Sequence, residues 1–184
     1  MELGGNAPFI VFEDANIDKA VEGAVICKFR ASGQTCVCAN RIYVHEEVLE
    51  TFTARFIEKL KQFRLGRGLY AVTTHRPSVD ASAVKKPPYG GRHTKGRAVE
   101  IWCKGSDSSG FFFEPTIITG AHKDMLLVNN ETFGPLTGIF SFNSEEDVLQ
   151  QANDSDMGLT GFFSARMSTV FSKWQKNCNA AWWE

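Results

Sequence analysis

The chain has 184 residues, and its hydrophobic content of 43% is enough to bury the core of one domain. Its 20 basic side chains nearly balance its 21 acidic ones, which excludes the strong net field that would attract nucleic acid or an anionic membrane. Its five cysteines stand at irregular spacings without a CxxC pair, so they argue against a zinc site or a secreted disulfide framework and favour reduced intracellular thiols.

The first predicted elements are a strand and a helix. Residues 7–12 (APFIVF) form a short apolar run of β-branched and aromatic side chains, which is typical of a strand. Asn16 can then cap a helix whose apolar side chains recur at helical spacing, at Ile17, Val21, Ala24 and Val25.

The same order follows again. Residues 41–44 (RIYV) predict a second strand. The helix after it has one apolar face, made of Leu49, Phe52, Phe56, Leu60 and Phe63. We expect this helix to end at Gly66, because glycine is the usual residue just past a helix carboxyl end.

The second half of the chain alternates in the same way. Residues 136–142 (LTGIFSF) and 159–165 (LTGFFSA) predict strands, and Ser144 with Asp147 resembles a capping box that opens a helix between them. Strands that alternate with helices predict an α/β fold with a mostly parallel sheet.

The segment between these halves has a different character. Residues 67–110 contain a Pro-Pro dipeptide and the runs YGGRH and SDSSG, and they show neither helical nor strand periodicity. Irregular stretches of this length are uncommon in a compact domain unless they are functional or disordered.

The stretch before Cys36 favours a turn that presents the sulfur atom. Gly33, Gln34 and Thr35 suit such a turn, in which backbone N–H groups could stabilise a thiolate. A free cysteine is, however, more often a small buried hydrophobic residue. The local residues alone leave both interpretations of Cys36 open.

Three segments resemble motifs of the aldehyde dehydrogenase superfamily. FRASGQTC at residues 29–36 resembles the cysteine active-site signature, and MELGGNAP at residues 1–8 resembles the glutamate signature. ETFGP at residues 131–135 resembles the motif that holds the nicotinamide ribose. Arg30 and the triplet Cys36-Val37-Cys38 resemble succinate-semialdehyde dehydrogenases in particular.

This resemblance implies an aldehyde-dehydrogenase-like catalytic domain, truncated at both ends, that occupies residues 1–184 with the irregular segment 67–110 inside it. Family members carry a Rossmann-type domain before the glutamate motif. Because that motif begins at Met1 in this sequence, we expect the domain to be absent. The pattern suits a fragment, a mispredicted gene model or a decayed gene.

The resemblance also implies a mechanism, in which the Cys36 thiolate attacks an aldehyde and the resulting thiohemiacetal gives a hydride to NAD or NADP. Glu2 would be the general base that activates the water for hydrolysis of the thioester. Without the Leu-Gly-Gly that follows it, Glu2 would be interpreted as an exposed terminal glutamate.

Arg30 and Cys38 carry narrower predictions. Arg30 could bind the distal carboxylate of succinic or glutaric semialdehyde, or it could be an ordinary cation at a helix end. Cys38 is either a spectator or, as the resemblance implies for some members, the disulfide partner of Cys36 in a redox switch.

Glu131 and Phe133 are the predicted cofactor residues. A carboxylate can accept both ribose hydroxyls and an aromatic ring can pack beside nicotinamide, while Gly134-Pro135 fixes the turn. Taken alone, the same segment would be interpreted as a surface turn.

Two hypotheses follow for the chain as a whole. It is the catalytic part of an NAD(P)-dependent oxidoreductase that acts on a small aldehyde and is inactive alone, or it is a non-catalytic product that at most associates with full-length relatives. The cysteine spacing and the balanced charge argue against a metal site and against nucleic acid as a partner. No membrane is expected either, since no apolar run approaches the roughly 20 residues that span a bilayer. We expect an intracellular location, cytoplasmic or mitochondrial, and a homo-oligomer for full-length relatives.

Overall fold

The structure is a computed structural model, and it describes residues 4–66, 73, 74, 78, 100–102, 112–166 and 181–183. This part of the chain forms one sheet of seven strands: β1 Ala7–Val11, β2 Ala39–His45, β3 Glu100–Trp102, β4 Thr116–Thr119, β5 Leu136–Phe142, β6 Thr160–Ser164 and β7 Ala181–Trp183. Their order across the sheet is β3-β4-β5-β2-β1-β6-β7. All neighbours run parallel except β3 and β4, which confirms the α/β fold with a mostly parallel sheet.

The helices lie between the strands as the alternation predicts. They are α1 Ile17–Phe29, α2 Leu49–Lys61, the short α3 Leu126–Asn129 and α4 Glu145–Asn153. Two predicted amino-terminal caps are confirmed, because Asn16 Oδ1 accepts a hydrogen bond from the backbone of Lys19 and Ser144 Oγ accepts one from the backbone of Asp147. None of the helices described is long and apolar enough to cross a membrane.

The predicted end of α2 at Gly66 is wrong, because the helix ends at Lys61. The Gln62 and Phe63 amides bond carbonyls three residues back, at 3.2 and 3.0 Å, so the chain tightens into a 3₁₀-type turn there. This turn brings the Phe63 ring edge-on to Phe29, with ring centroids 5.8 Å apart. Packing of Phe63 on the end of α1 therefore accompanies the earlier end of the helix.

The sheet is covered on both faces. Because successive strand residues point to opposite faces, Phe9 and Val11 pack with α1 and α2, while Ile10 between them packs on the face that carries α3 and α4. Ile42 and Tyr43 divide between the two faces in the same way. A sheet buried on both sides explains why its central strands are almost continuously apolar.

Candidate active site

The topology brings the three motif segments to one edge of the sheet. Residues 4–6 lead into β1, residues 30–38 lead into β2, and residues 130–135 lead into β5. In the sheet these strands are adjacent, in the order β5-β2-β1, and they are parallel. Their amino ends therefore place the three segments side by side, which the linear sequence does not show.

The first two segments touch through a backbone contact. A Cβ atom added to Gly5 would overlap the carbonyl oxygen of Cys36, so only glycine allows the chain to pass so close. Gly5 lies in the glutamate-like motif and Cys36 is the predicted nucleophile. The structure thus brings the two predicted catalytic segments into direct contact.

A second glycine joins the cysteine segment to the third motif. Gly33 has a φ of +71°, and a Cβ atom on it would overlap the carbonyl oxygen of Gly134. The two residues before it, Ala31 and Ser32, also have positive φ values, 51° and 58°. This left-handed turn is strained for residues with side chains, and it carries the chain from α1 towards Cys36.

Cys36 lies in the predicted turn and is half-buried, with a free thiol. Thr35 holds the turn, because its Oγ1 accepts a hydrogen bond from Val37 N at 3.2 Å and its carbonyl accepts one from Cys38 N at 3.1 Å. Local hydrogen bonding of this kind fixes a turn without a helix or strand. The structure therefore agrees with the turn interpretation, whereas the nucleophilic role of Cys36 stays a prediction.

Cys38 differs from Cys36 in its surroundings. It is 2% exposed, and its Sγ donates a hydrogen bond to the Lys28 carbonyl at 3.5 Å. Burial raises the pKa of the Cys38 thiol above its ordinary value, which disfavours the thiolate needed for thiol–disulfide exchange. Both thiols are free, and a redox role for Cys38 stays a prediction.

Arg30 follows α1 directly and is exposed. Its backbone N–H caps the helix by bonding the carbonyl of Ile26. This position fits the interpretation as a cation at a helix carboxyl end. Binding of a substrate carboxylate by Arg30 stays a prediction.

Glu131 meets the glutamate-like motif from the other side. Its Oε1 accepts a hydrogen bond from Gly5 N at 2.9 Å, and a Cβ on Gly4 would lie 3.2 Å from its Oε2. Phe133 follows with a φ of 40°, so the segment turns sharply there. A carboxylate can accept hydrogen bonds from ribose hydroxyls, and binding of a nicotinamide ribose by Glu131 and Phe133 stays a prediction.

Glu2 lies outside the described residues. Its neighbours Gly4 and Gly5 belong to the site, since Gly4 approaches Glu131 and Gly5 contacts Cys36. The role of Glu2 as general base therefore stays a prediction. In the described ranges, no group of three or more His, Cys, Asp or Glu side chains is placed to hold a metal ion.

Sequence reasoning missed Lys28, which is completely buried beneath the site. Its Nζ donates hydrogen bonds to Asn40 Oδ1 at 2.6 Å and to Thr132 Oγ1 at 3.1 Å. A signal was present in the sequence, because Lys28 follows Ala20 and Ala24 at intervals of four on the buried face of α1.

Arg41 was also missed, because it lies inside an apolar strand. The guanidinium is 1% exposed and donates to the Asn6 carbonyl at 3.1 Å from Nε and at 2.9 Å from Nη2. It also donates to the carbonyls of Gln151 and Ala152 at the end of α4. Since the last turn of α4 has no basic residue of its own, Arg41 supplies the cation that its carbonyl end favours.

The chain is similar to known proteins over nearly its whole length. The model of the aldehyde dehydrogenase family matches residues 1–182. Succinate-semialdehyde dehydrogenase [NADP(+)] 1 of Schizosaccharomyces pombe is 47% identical over 178 residues, which are 93% of this chain and 35% of that enzyme. Glutarate-semialdehyde dehydrogenase of Pseudomonas putida is 45% identical over 172 residues, with 93% and 36% covered.

A solved structure agrees with these similarities. Succinate-semialdehyde dehydrogenase from Burkholderia pseudomallei superposes with a TM-score of 0.92 at 38% sequence identity. The superposition covers 99% of this chain and 38% of that one. The chain therefore spans little more than a third of the length of the relatives it matches.

The contact of Gly5 with Cys36 predicts that Gly5→Ala is harmful. The added methyl group would force the two backbones apart, so we expect a loss of about 1 to 3 kcal/mol in the free energy of unfolding. Gly23→Ala is the matched control, since its Cβ would meet Phe9 at an ordinary 3.4 Å and alanine favours a helix. Urea unfolding measures the free energy of unfolding of both variants. Equal effects of the two substitutions would contradict the close contact of Gly5 with the Cys36 carbonyl.

The left-handed turn predicts opposite effects for two exposed alanines. Ala31→Gly removes strain at a positive φ and should raise the free energy of unfolding by roughly 0.5 to 1 kcal/mol. Ala54→Gly in the middle of α2 should lower it by about 1 kcal/mol, because glycine disfavours a helix. Urea unfolding measures the free energy of unfolding of the two variants. A lower value for Ala31→Gly than for the wild type would show that the turn is not left-handed at residue 31.

Burial of Lys28 predicts a pH-dependent stability. Burial lowers the pKa of Lys28 from 10.5 to about 8, and the nearby Cys38 and Glu131 only partly oppose this shift. Below pH 8 both folded and unfolded chains hold the proton, so the penalty for the buried charge is complete. Between pH 8 and 10.5 only the unfolded chain holds it, so this contribution to stability increases with pH.

The test compares wild type with Lys28→Met by urea unfolding at several pH values. Relative to the variant, the wild type should gain about 3 kcal/mol as the pH rises through this window, since one pKa unit corresponds to roughly 1.4 kcal/mol. Cys27 and Tyr43, whose pKa values burial raises, titrate in both proteins and largely cancel in the comparison. Both proteins carry Cys38→Ser as well, because the Cys38 thiol is coupled to Lys28 and its titration would not cancel. Parallel stability curves would contradict the buried position of the amine.

Proposed function

The chain belongs to the aldehyde dehydrogenase family, and we propose that it is the catalytic part of an enzyme that oxidises succinic semialdehyde to the carboxylic acid with NAD or NADP. The observation that carries the proposal is the convergence of the Cys36, Gly5 and Glu131 segments at the amino ends of three adjacent strands. We propose that the enzyme is intracellular, cytoplasmic or mitochondrial, because five irregularly spaced cysteines do not form the pattern of a secreted disulfide framework.

Cys36 is the nucleophile of the proposed reaction. Its thiolate adds to the aldehyde carbon to form a tetrahedral thiohemiacetal, and loss of hydride from that carbon leaves a thioester on the sulfur. The dinucleotide, when bound, accepts the hydride. Addition of the thiolate is necessary because a planar aldehyde cannot release hydride before its carbon becomes tetrahedral.

Glu2 is the proposed general base. It takes a proton from the water that hydrolyses the thioester, which releases the acid and restores the thiol, and such proton transfer contributes roughly 10²- to 10⁴-fold in rate. The Cys36 backbone N–H is the proposed donor to the oxyanion that forms on the carbonyl oxygen. The contact of Gly5 with Cys36 supports these roles, since Glu2 lies three residues before Gly5.

Arg30 is the proposed substrate-binding residue. The relatives are named for succinate and glutarate semialdehydes, which both carry a carboxylate at the end away from the aldehyde. Arg30 is exposed at the start of the turn that leads to Cys36, where its planar guanidinium can bind such a carboxylate through two hydrogen bonds.

Glu131 and Phe133 are the proposed cofactor residues. The carboxylate would accept the hydroxyls of the nicotinamide ribose, and Phe133 would pack beside the nicotinamide ring. The Schizosaccharomyces pombe relative is named for NADP(+), which supports a nicotinamide dinucleotide as the oxidant. Because the chain spans little more than a third of the length of its relatives, we propose that these 184 residues alone do not oxidise the aldehyde.

The test uses the thiol directly, so it does not need turnover. Iodoacetamide should alkylate Cys36, and succinic semialdehyde should slow this alkylation by capturing the thiol as a thiohemiacetal. Butanal lacks the carboxylate and should protect about tenfold less well at equal concentration, as expected for one charge-assisted contact. Peptide mass spectrometry measures the alkylation of Cys36, with half-buried Cys27 as the internal control.

The matched variants are Arg30→Met and Arg55→Met, since both arginines are exposed. Arg30→Met should remove the preference for succinic semialdehyde, whereas Arg55→Met on α2 should keep it. If neither aldehyde protects Cys36, the non-catalytic hypothesis is favoured. NADPH formation by the chain alone that disappears in Cys36→Ala would contradict its predicted inactivity and support the chemistry.

A further inference from the structure

We propose that Lys28 is a positioning residue, whose side chain holds the Glu131–Phe133 segment and the entry to β2 in register beneath the reacting groups. The inference rests on the proposed function, because it assigns Lys28 a purpose in arranging that site. Lys28 lies in the last turn of α1, directly before the cysteine segment, and it is completely buried.

A hydrogen-bond network surrounds the Lys28 ammonium. The Lys28 ammonium bonds Asn40 Oδ1 at 2.6 Å and Thr132 Oγ1 at 3.1 Å, and the Thr132 hydroxyl donates to Asn40 Oδ1 at 2.7 Å. These three side chains come from α1, from β2 and from the segment before β5. One amine therefore joins the end of α1, the start of β2 and the segment before β5.

The network extends to the glutamate-like motif. Asn40 Nδ2 donates to the Gly5 carbonyl at 3.4 Å, while the Gly5 N–H donates to Glu131 Oε1 at 2.9 Å. Thr132, which Lys28 holds, is the residue after Glu131. The Lys28 network thus positions two groups beside the Glu131 carboxylate. They are the Gly5 peptide, which donates to that carboxylate, and the side chain of Thr132.

The backbone of Lys28 also contacts the end of the cysteine segment. Its carbonyl accepts the hydrogen bond from Cys38 Sγ, so the two ends of the segment that contains Cys36 meet at this residue. The main chain of Lys28 secures the cysteine segment and its side chain secures the Glu131 segment.

Burial of the Lys28 amine is unfavourable unless its hydrogen bonds compensate for the lost hydration. Lys28 is 0% exposed, and both of its hydrogen-bond partners are neutral oxygens. A buried ammonium without a directly bonded carboxylate is expensive, and a methionine of similar length would fill the same space at lower cost. Packing alone does not explain a lysine here, whereas donation of two convergent hydrogen bonds does.

The test is hydrogen–deuterium exchange of the full 184-residue chain, measured by peptide mass spectrometry without substrate or nucleotide. In Lys28→Met we expect the backbone amides of residues 4–6 and 130–136 to exchange about tenfold faster, while those of α2 and the middle of β5 keep their rates. Lys19→Met is the matched control, because Lys19 is an exposed lysine on the same helix.

Two variants of Thr132 test the same network without touching Lys28. Thr132→Val removes only the hydroxyl and should reproduce the local increase in exchange. Thr132→Ser keeps the hydroxyl and should restore slow exchange, which a role in packing alone would not predict. If Lys28→Met does not fold, exchange at residues 4–6 in this pair decides, because the Thr132 hydroxyl also bonds the Leu136 carbonyl at 3.3 Å and its loss can loosen residues 130–136 by itself.

Unchanged exchange at residues 4–6 and 130–136 in both Lys28→Met and Thr132→Val would overturn the proposal. An equal increase in the exchange rate over the whole chain would also overturn the proposal. That result would mean that Lys28 stabilises the fold as a whole and does not position these segments in particular. Failure of the proposed function would appear instead as failure of succinic semialdehyde to protect Cys36, and the exchange measurement does not depend on it.

Discussion

The approach of the Gly5 backbone to the Cys36 carbonyl is the contact on which the rest of the site depends. Only a residue without a side chain permits it, and it sets the distance between the segments that precede β1 and β2. The contact of Gly33 with Gly134 repeats the arrangement between the cysteine segment and β5. Two glycines thus join three segments whose sequence positions are far apart, and the parallel sheet fixes their order.

The site lies at the amino ends of the strands, which is the opposite edge from the one where open α/β sheets usually bind ligands. Two buried basic side chains, Arg41 and Lys28, connect the segments at this edge through hydrogen bonds. Arg41 bonds the Asn6 carbonyl and the end of α4, while Lys28 bonds Asn40 and Thr132. Each of these side chains serves two or more elements, so the segments around Cys36 are arranged by polar groups in the interior as well as by apolar packing.

Much of the fold follows from local patterns in the sequence. The caps at Asn16 and Ser144 were predictable because a short polar side chain preceded a helical period, and the strands were predictable from apolar runs with β-branched residues. The early end of α2 was not, because packing of Phe63 on Phe29 is a tertiary contact.

The motif residues of the site could be named from the sequence, but their meeting point depends on strand order, which no local pattern contains. Lys28 and Arg41 were missed for a related reason, since patterns of hydrophobicity assign charged side chains to the surface.

One consequence concerns α4, which packs on the face of the sheet away from α1 and α2. Its terminal carbonyls share the Arg41 guanidinium with Asn6, the residue next to Gly5. The carboxyl end of α4 is therefore linked to the segment before β1 through one buried side chain. A ligand that displaced α4 from the outside would move Asn6 and Gly5 with it, although it would not contact Gly5 or Cys36.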